Sequence, residues 1–446
     1  MKKTKKVNKL YIIIPTIISV CIVAYFFLNM VFSPYWDSVY PPNGYLSLSS
    51  LRISDSAETV FTKEQACEDL DYIVKCLNRV HPLFDDEIPQ HVQEMLDAEK
   101  NSFDEQVTSI EIYRSAAHLF SEIGDSHNMI SPTFPRLYLT DYIEKLKQGY
   151  SLEVINGVDL YTVFQEKKSL FAYEIEEWGI QNFINILQTK DGFELLEIET
   201  EKVEFTYLSP NGEQETVIYT DKDFDDYETA ASVLSVEVET VDSPDYSYSI
   251  DQENNLAVFT LNQCTYDSDF KKVMYDFFTE VIYENIGNIV VDLRENSGGN
   301  SQVADEFIMY LNQESVKRPG GYWRLGPYTM NWEAREEEIS HYDENLFDGN
   351  VFVMTSASTF SSATMFAELI QDNSFGMVVG ETCGNMPAGY GDVVVFQTPN
   401  SLLTFQISSK SFDRIDTDKA GEPLTPDFPC PADDALNVIK SLVDEK

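Results

Sequence analysis

The sequence predicts an α/β domain with a largely parallel sheet in its C-terminal half, preceded by a small helical domain and a strand-rich segment. Three observations carry this reading. From Tyr246 onward, short apolar runs alternate with helical patterns. Before residue 145, apolar residues recur at helical spacing. Between those regions, turn signals punctuate short alternating stretches. A chain of 446 residues, 43% hydrophobic and with 28 Phe, is long enough for two or three domains with substantial cores.

Residues 1–35 begin with Lys2, Lys3, Lys5, Lys6 and Lys9, and continue with Leu10–Phe32, which carries no charge. That run has about the length a bilayer core requires, so a transmembrane helix is expected. The lysines should stay in the cytoplasm, which places the C-terminal domains outside it, on a single-pass protein of the cell membrane. A cleaved signal peptide is the rival. Its apolar region is usually shorter and ends in small residues, which are not found near Asn29–Tyr35.

Residues 50–145 form the helical domain. Thr62 caps a helix and Gln65 completes its capping box, with Leu70, Ile73, Val74, Leu77 and Val80 on one face. His81-Pro82 ends it. A second helix is expected from Pro89 to about Glu99. A third starts at Thr108, with Glu111 at the box position, and stops at Gly124.

Residues 146–245 are strand-rich. Ser151–Ile155 and Val203–Leu208 are strands, with turns at Asn156-Gly157 and Pro210-Asn211-Gly212. One helix is expected around Tyr173–Leu187, and the acidic stretch Asp221–Tyr227 reads as a solvated loop. In residues 246–446, strands Leu256–Leu261, Ile289–Leu293, Val351–Thr355 and Met377–Gly380 alternate with helices Asp269–Tyr283, Ser301–Leu311 and one reaching about Gln371. Reactive groups in such sheets gather at the carboxyl ends of the strands.

The formal net charge is -44, from 75 acidic and 31 basic residues. Such a body repels phosphate backbones, which excludes nucleic acid as a partner and otherwise serves solubility. The six cysteines show no C-x-x-C pair and no metal-ligand spacing. Cys67 and Cys76 share a helix at roughly 13 Å, too far for a bridge, so free thiols are expected, although a Cys383–Cys430 pair stays open.

Two strand-to-helix turns hold the residues best suited to chemistry. In Asp292-Leu293-Arg294-Glu295-Asn296-Ser297-Gly298-Gly299-Asn300, paired glycines let backbone N–H groups face a site. An ordinary tight turn uses the same residues. In Ser358-Thr359-Phe360-Ser361-Ser362, a serine opens a helix, its hydroxyl near the positive end of the dipole. Ser361 or Ser358 could equally cap that helix. A serine nucleophile needs a base. Of His81, His91, His118, His127 and His341, only His127 follows a helix stop in a loop, within Gly124-Asp125-Ser126-His127-Asn128. His118 reads as a packed core residue, and His341 as exposed.

These motifs, in this order, resemble the tail-specific (C-terminal-processing) serine peptidase family, in the branch near tricorn core protease and interphotoreceptor retinoid-binding protein. Gly124-Asp125-Ser126-His127 is similar to G-D-x-H, and Asp292–Gly299 to D-L-R-x-N-x-G-G. Thr359-Phe360-Ser361, with Gln371-Asp372 and Val378-Val379-Gly380-Glu381-Thr382, is similar to the nucleophile block. Asn156-Gly157 resembles the degenerate PDZ-like segment between them. The resemblance implies a crotonase/ClpP-like fold for residues 246–446, a protein or peptide substrate, and no metal or cofactor. It makes Ser361 the nucleophile and His127 the general base, with Gly298 or Gly299 and the Ser362 amide as the oxyanion hole. Met386 stands where Ser-Lys members carry lysine. Ser126 would orient His127 together with an acid, Asp418 or else Glu422. Thr364 replaces the usual glutamate three residues after the nucleophile. The alternative is a catalytically inactive peptide- or lipid-binding module on the same fold.

Overall fold

The structure, a computed structural model, describes residues 10–32, 35–40, 50–54, 56–84, 87–234, 244–342 and 346–444. The lysine-rich tip lies outside them. A 23-residue helix, Leu10–Phe32, opens the described chain. Its side chains are described over residues 17–28, where all are exposed. Among the described residues, no helix is long and apolar enough to cross a membrane, so the expected span does not appear there.

Three helices follow as the caps dictate. Lys63–Val80 and Ser109–Ile123 both begin with complete capping boxes, at Thr62/Gln65 and Thr108/Glu111. Each box satisfies two amides that the first turn leaves unpaired. Gly124 takes the left-handed conformation (φ 71°) that ends the second of them. The helix Gln90–Ser102 lies between, and its Glu99 pairs with His118 (2.8 Å). His118 is therefore a half-buried hydrogen-bond partner of Glu99 rather than a packed core residue.

The strand-rich segment is a four-stranded antiparallel sheet in the order Val158–Asp159, Ser151–Ile155, Val203–Leu208, Gln214–Tyr219. The Asn156-Gly157 turn has both residues at positive φ (50° and 79°), as a two-residue hairpin requires. The expected helix runs from Glu176 to Ile186, but it is not alone: Leu160–Lys167, Lys190–Leu195 and Tyr227–Leu234 are also helical.

The C-terminal region is built on a six-stranded sheet. Its order is Tyr246–Asp251, Leu256–Leu261, Asn288–Asp292, Asn350–Thr355, Met377–Gly380, Phe428–Pro429. The first pair is antiparallel and the other four are parallel. Helices Ser268–Tyr283, Gln302–Ile308 and Ser362–Asp372 bury one face around Phe259, Phe277, Phe307, Phe366 and Val353. The other face is covered by Ala435–Asp444, through Ala435 and Ile439.

A second, five-stranded sheet does not follow from the sequence reading. Tyr328–Trp332, Gly321–Leu325, Thr404–Phe412 and Gly389–Gln397 form it, and Met129–Ser131 adds to Thr404–Phe412. Phe396, Leu403, Phe405 and Ile407 of this sheet bury against the N-terminal helices, in one core with Leu70, Leu77 and Phe120. The long hairpin 389–412 thus packs with the front of the chain, although it lies within the C-terminal third of the sequence. This packing carries the histidine loop to the sheet domain.

Candidate active site

The nucleophile turn leaves the carboxyl end of strand Asn350–Thr355. Thr359 Oγ1 donates to Leu293 O (2.8 Å), Ser356 Oγ to Arg294 O (2.5 Å) and Phe360 N to Asn296 O (3.0 Å). These bonds stitch it to the turn after the neighbouring strand. Ser361 then sits at φ 55°, ψ −120°. A side chain in such a conformation costs about 1–3 kcal/mol and persists only where its surroundings over-determine it. The restraint is Asn385, whose Oδ1 accepts the Ser361 N–H (2.6 Å) and the Thr364 hydroxyl (2.8 Å). Thr364 and Asn385 thereby occupy the space beside the nucleophile. Ser361 makes no side-chain capping bond, so its hydroxyl is not spent on the helix. Ser358 lies earlier in the loop, where its N–H donates to Ser356 Oγ (3.0 Å).

The glycine turn abuts this serine. A Cβ on Gly298 (φ 106°) would stand 2.8 Å from Ser361 Cβ and 2.9 Å from Phe360 O, so only glycine fits. Asn296 sets the turn by accepting the Gly298 N–H (2.8 Å) and donating to Leu261 O (2.8 Å). The Gly298 amide is thus committed, which leaves Gly299 as the available glycine. Ser362 Oγ donates to Gly299 O (2.8 Å) and fixes that peptide. Among the described residues, no hydrogen bond uses the Gly299 or Ser362 amide. The second is one of the unpaired first-turn donors of a helix.

His127 follows the Gly124 cap. Its N–H donates to Asp125 Oδ1 (2.9 Å), and its carbonyl accepts from Gln406 Nε2 (2.7 Å). Ser408 N donates to Asn128 Oδ1 (3.2 Å), and the next residues pair with Thr404–Gln406. The ring is 7% exposed and lies 4.6 Å, centroid to centroid, from Phe360. Phe360 is in turn stacked on Trp178 (4.2 Å, 14°). Neither ring nitrogen of His127 has a hydrogen-bond partner among the described residues.

Two acids stand beside this base, and neither was expected. Asp125 is wholly buried. Its Oδ2 is 3.0 Å from His81 Nε2, while Leu83 N donates to His81 Nδ1 (3.1 Å), so the His81 Nε2 carries the proton. Burial opposes the charge of Asp125, but hydrogen bonds from His127 and His81 outweigh it and hold the carboxyl well below the ordinary carboxylate value. Its Oδ1 is 3.6 Å from His127 Nδ1, an electrostatic contact longer than a hydrogen bond. Glu174 accepts the Met386 N–H (3.0 Å) and donates its own N–H to Ser126 Oγ (2.8 Å). Asp125 could have been read from its place two residues before the base; no local signal marks Glu174.

The expectation for Asp418 or Glu422 is corrected. Both are exposed, on a loop that Arg414 ties down by pairing with Asp372 (2.9 Å) and bonding Glu422 O (2.8 Å). Asp372 ends the helix that Ser361 begins. Eleven residues at a 1.5 Å rise put that loop roughly 16 Å from the nucleophile. Ser361, Ser362, Gly299 and His127 line one cleft of about 680 Å³, together with Met365, Met386 and Tyr390. Its far wall is the five-stranded sheet, where Lys410 pairs with Asp392 (2.6 Å) and lies 5.0 Å from the Trp323 ring.

A strained serine at a helix start, free amides beside it and a histidine across a cleft are the parts of a serine-dependent hydrolase. Residues 255–429, which hold the glycine turn and the nucleophile turn, match the sequence model of Peptidase family S41. It is 26% identical over 133 residues to a carboxyl-terminal-processing protease of Picosynechococcus sp.. That alignment covers 30% of this chain, and likewise only 30% of the relative's length. Among solved structures, mature CPAF aligns with a TM-score of 0.60 at 12% identity, over 86% of this chain and 97% of that one. The same protein complexed with lactacystin gives a TM-score of 0.60 at 12% identity, over 86% and 98%. At these identities the likeness is one of fold.

Proposed function

We propose that this chain is a serine peptidase that hydrolyses peptide bonds outside the cytoplasm, held to the membrane by the helix Leu10–Phe32. His127 takes the Ser361 proton as the hydroxyl attacks a peptide carbonyl. The Gly299 and Ser362 amides receive the oxyanion. The protonated imidazole then gives its proton to the leaving amine, and water releases the acyl-enzyme by the same route. The observation that carries the reading is Ser361 itself, strained at φ 55° with its hydroxyl uncommitted, in a cleft shared with His127 and the two amides. A fluorophosphonate should label the protein at Ser361, and Ser361→Ala should abolish labelling and lower turnover by on the order of 10⁶-fold. Undiminished labelling of that variant would overturn the assignment. For the anchor, the support is the uncharged run behind a lysine cluster. Protease added outside intact cells should digest the C-terminal domains, whereas a soluble product starting near residue 35 would refute anchoring.

A further inference from the structure

One short segment of the strand-rich region touches both loops of the candidate site. Glu174 precedes the helix Glu176–Ile186. Its N–H donates to the hydroxyl of Ser126, the residue before His127 (2.8 Å). Its Oε2 accepts the N–H of Met386 (3.0 Å), whose neighbour Asn385 holds the Ser361 amide (2.6 Å). Asn385 Nδ2 donates in turn to Met386 O (2.9 Å), which ties these two residues together. One helical turn beyond Glu174, Trp178 stacks on Phe360, and Phe360 packs on His127. Glycine at 384 leaves room for this, since a Cβ there would lie 2.9 Å from the Trp178 ring.

We propose that Glu174 is a positioning residue that keeps the histidine loop, through Ser126, in register with the nucleophile loop, through Met386 and Asn385. The inference rests on the peptidase reading above and supplies the acid that Asp418 and Glu422 do not. Burial, and after it the Asp125 carboxylate, push the Glu174 carboxyl up to about 7, against the Met386 amide, His127 and the Ser126 hydroxyl. The titratable groups facing it are Asp125 and His127 from the histidine loop, His81 behind Asp125, and Tyr390 from the hairpin. Below that pH, Glu174 holds a proton and loses acceptor capacity toward the nucleophile loop. Above it, the carboxylate accepts the Met386 N–H and faces the imidazolium that forms during acylation, while the Glu174 N–H donates to Ser126 at either pH.

The test uses the full chain and the second-order rate of fluorophosphonate labelling between pH 5 and 9, with thermal unfolding as a check on folding. Glu174→Gln should lower the rate at pH 8 by about 10- to 100-fold, flatten its rise around pH 7 and leave Ser361 the labelled residue. Glu174→Asp should recover part of the rate together with the pH-dependent rise. Ser126→Ala should lose as much as Glu174→Gln, and the double variant no more than either, since the Ser126–Glu174 and Glu174–Met386 bonds act in series. A wild-type rate and pH profile in Glu174→Gln, or additive losses in the double variant, overturn the proposal. Should Glu174→Gln not fold, Ser126→Ala decides alone, and a wild-type profile there overturns it. Labelling that survives Ser361→Ala instead defeats the peptidase reading, whatever Glu174 does.

Discussion

The two loops that meet in the cleft are held in opposite ways. On the nucleophile side, Asn296, Thr359, Ser356 and Asn385 spend their polar atoms on backbone groups, and Ser361 is forced into a conformation it would not choose. On the base side, the backbone of His127 is tied by Asp125 and Gln406, and among the described residues neither ring nitrogen has a partner. The difference matches what each group must do. A nucleophile beside an oxyanion hole works by fixed geometry, whereas a base has to serve the serine first and the leaving amine next. Catalytic hydrogen bonds of this kind tighten when substrate arrives.

Four outcomes would break or sharpen that contrast, and the largest concerns the base. His127→Ala should lower kcat/KM on a short peptide by about 10²–10⁴-fold, and the unfolding midpoint should fall too, because the buried ring packs on Phe360. A variant keeping more than roughly a tenth of the activity would remove His127 from the mechanism. Gly298→Ala tests the rigid side. The added methyl meets Ser361 Cβ and the Phe360 carbonyl, so both labelling and stability should fall, the latter by about 2–3 kcal/mol. Activity loss without destabilisation would mean that the turn is softer than its bonds suggest.

The nucleophile helix also contains a buried acid whose effect depends on pH. Glu368 is 2% exposed and accepts the Ile415 N–H (2.7 Å), and burial pushes its carboxyl up to about 8. Its folded value lies above the unfolded one, so its favourable contribution is complete below about 4.5 and is lost as pH rises through about 8. Glu368→Gln should therefore stabilise the protein at pH 9 by about 2 kcal/mol and change little at pH 4. Urea unfolding at the two pH values measures this, and a pH-independent effect would contradict the assignment. The smallest effect belongs to the acids the sequence favoured. Asp418→Asn and Glu422→Gln should each leave kcat/KM within about twofold, as exposed residues at the far end of the helix should. A tenfold loss in either would mean that the loop reaches the site in solution.

What the sequence determined by itself is what neighbouring residues decide among themselves. The capping boxes at Thr62/Gln65 and Thr108/Glu111, the Gly124 stop, the Asn156-Gly157 hairpin and the strand-turn-helix units around Gly298 and Ser361 depend on contacts a few residues apart. Their propensities and periodicities are written locally. Even there, the acid two residues before His127 was passed over, because only the fold reveals that His81 lies beneath it. The tertiary structure alone decided which acid stands near the base. The link between Glu174 and Met386 spans 212 positions, and it exists because the strand-rich segment packs where both loops converge. It also decided the far wall of the cleft. Strands 389–397 and 404–412 bury Phe396, Phe405 and Ile407 against helices some 300 residues earlier, so their partners cannot be read from their own pattern. The same burial brings His127 to Ser361, because the hydrophobic effect rewards area removed from water without regard to distance along the chain.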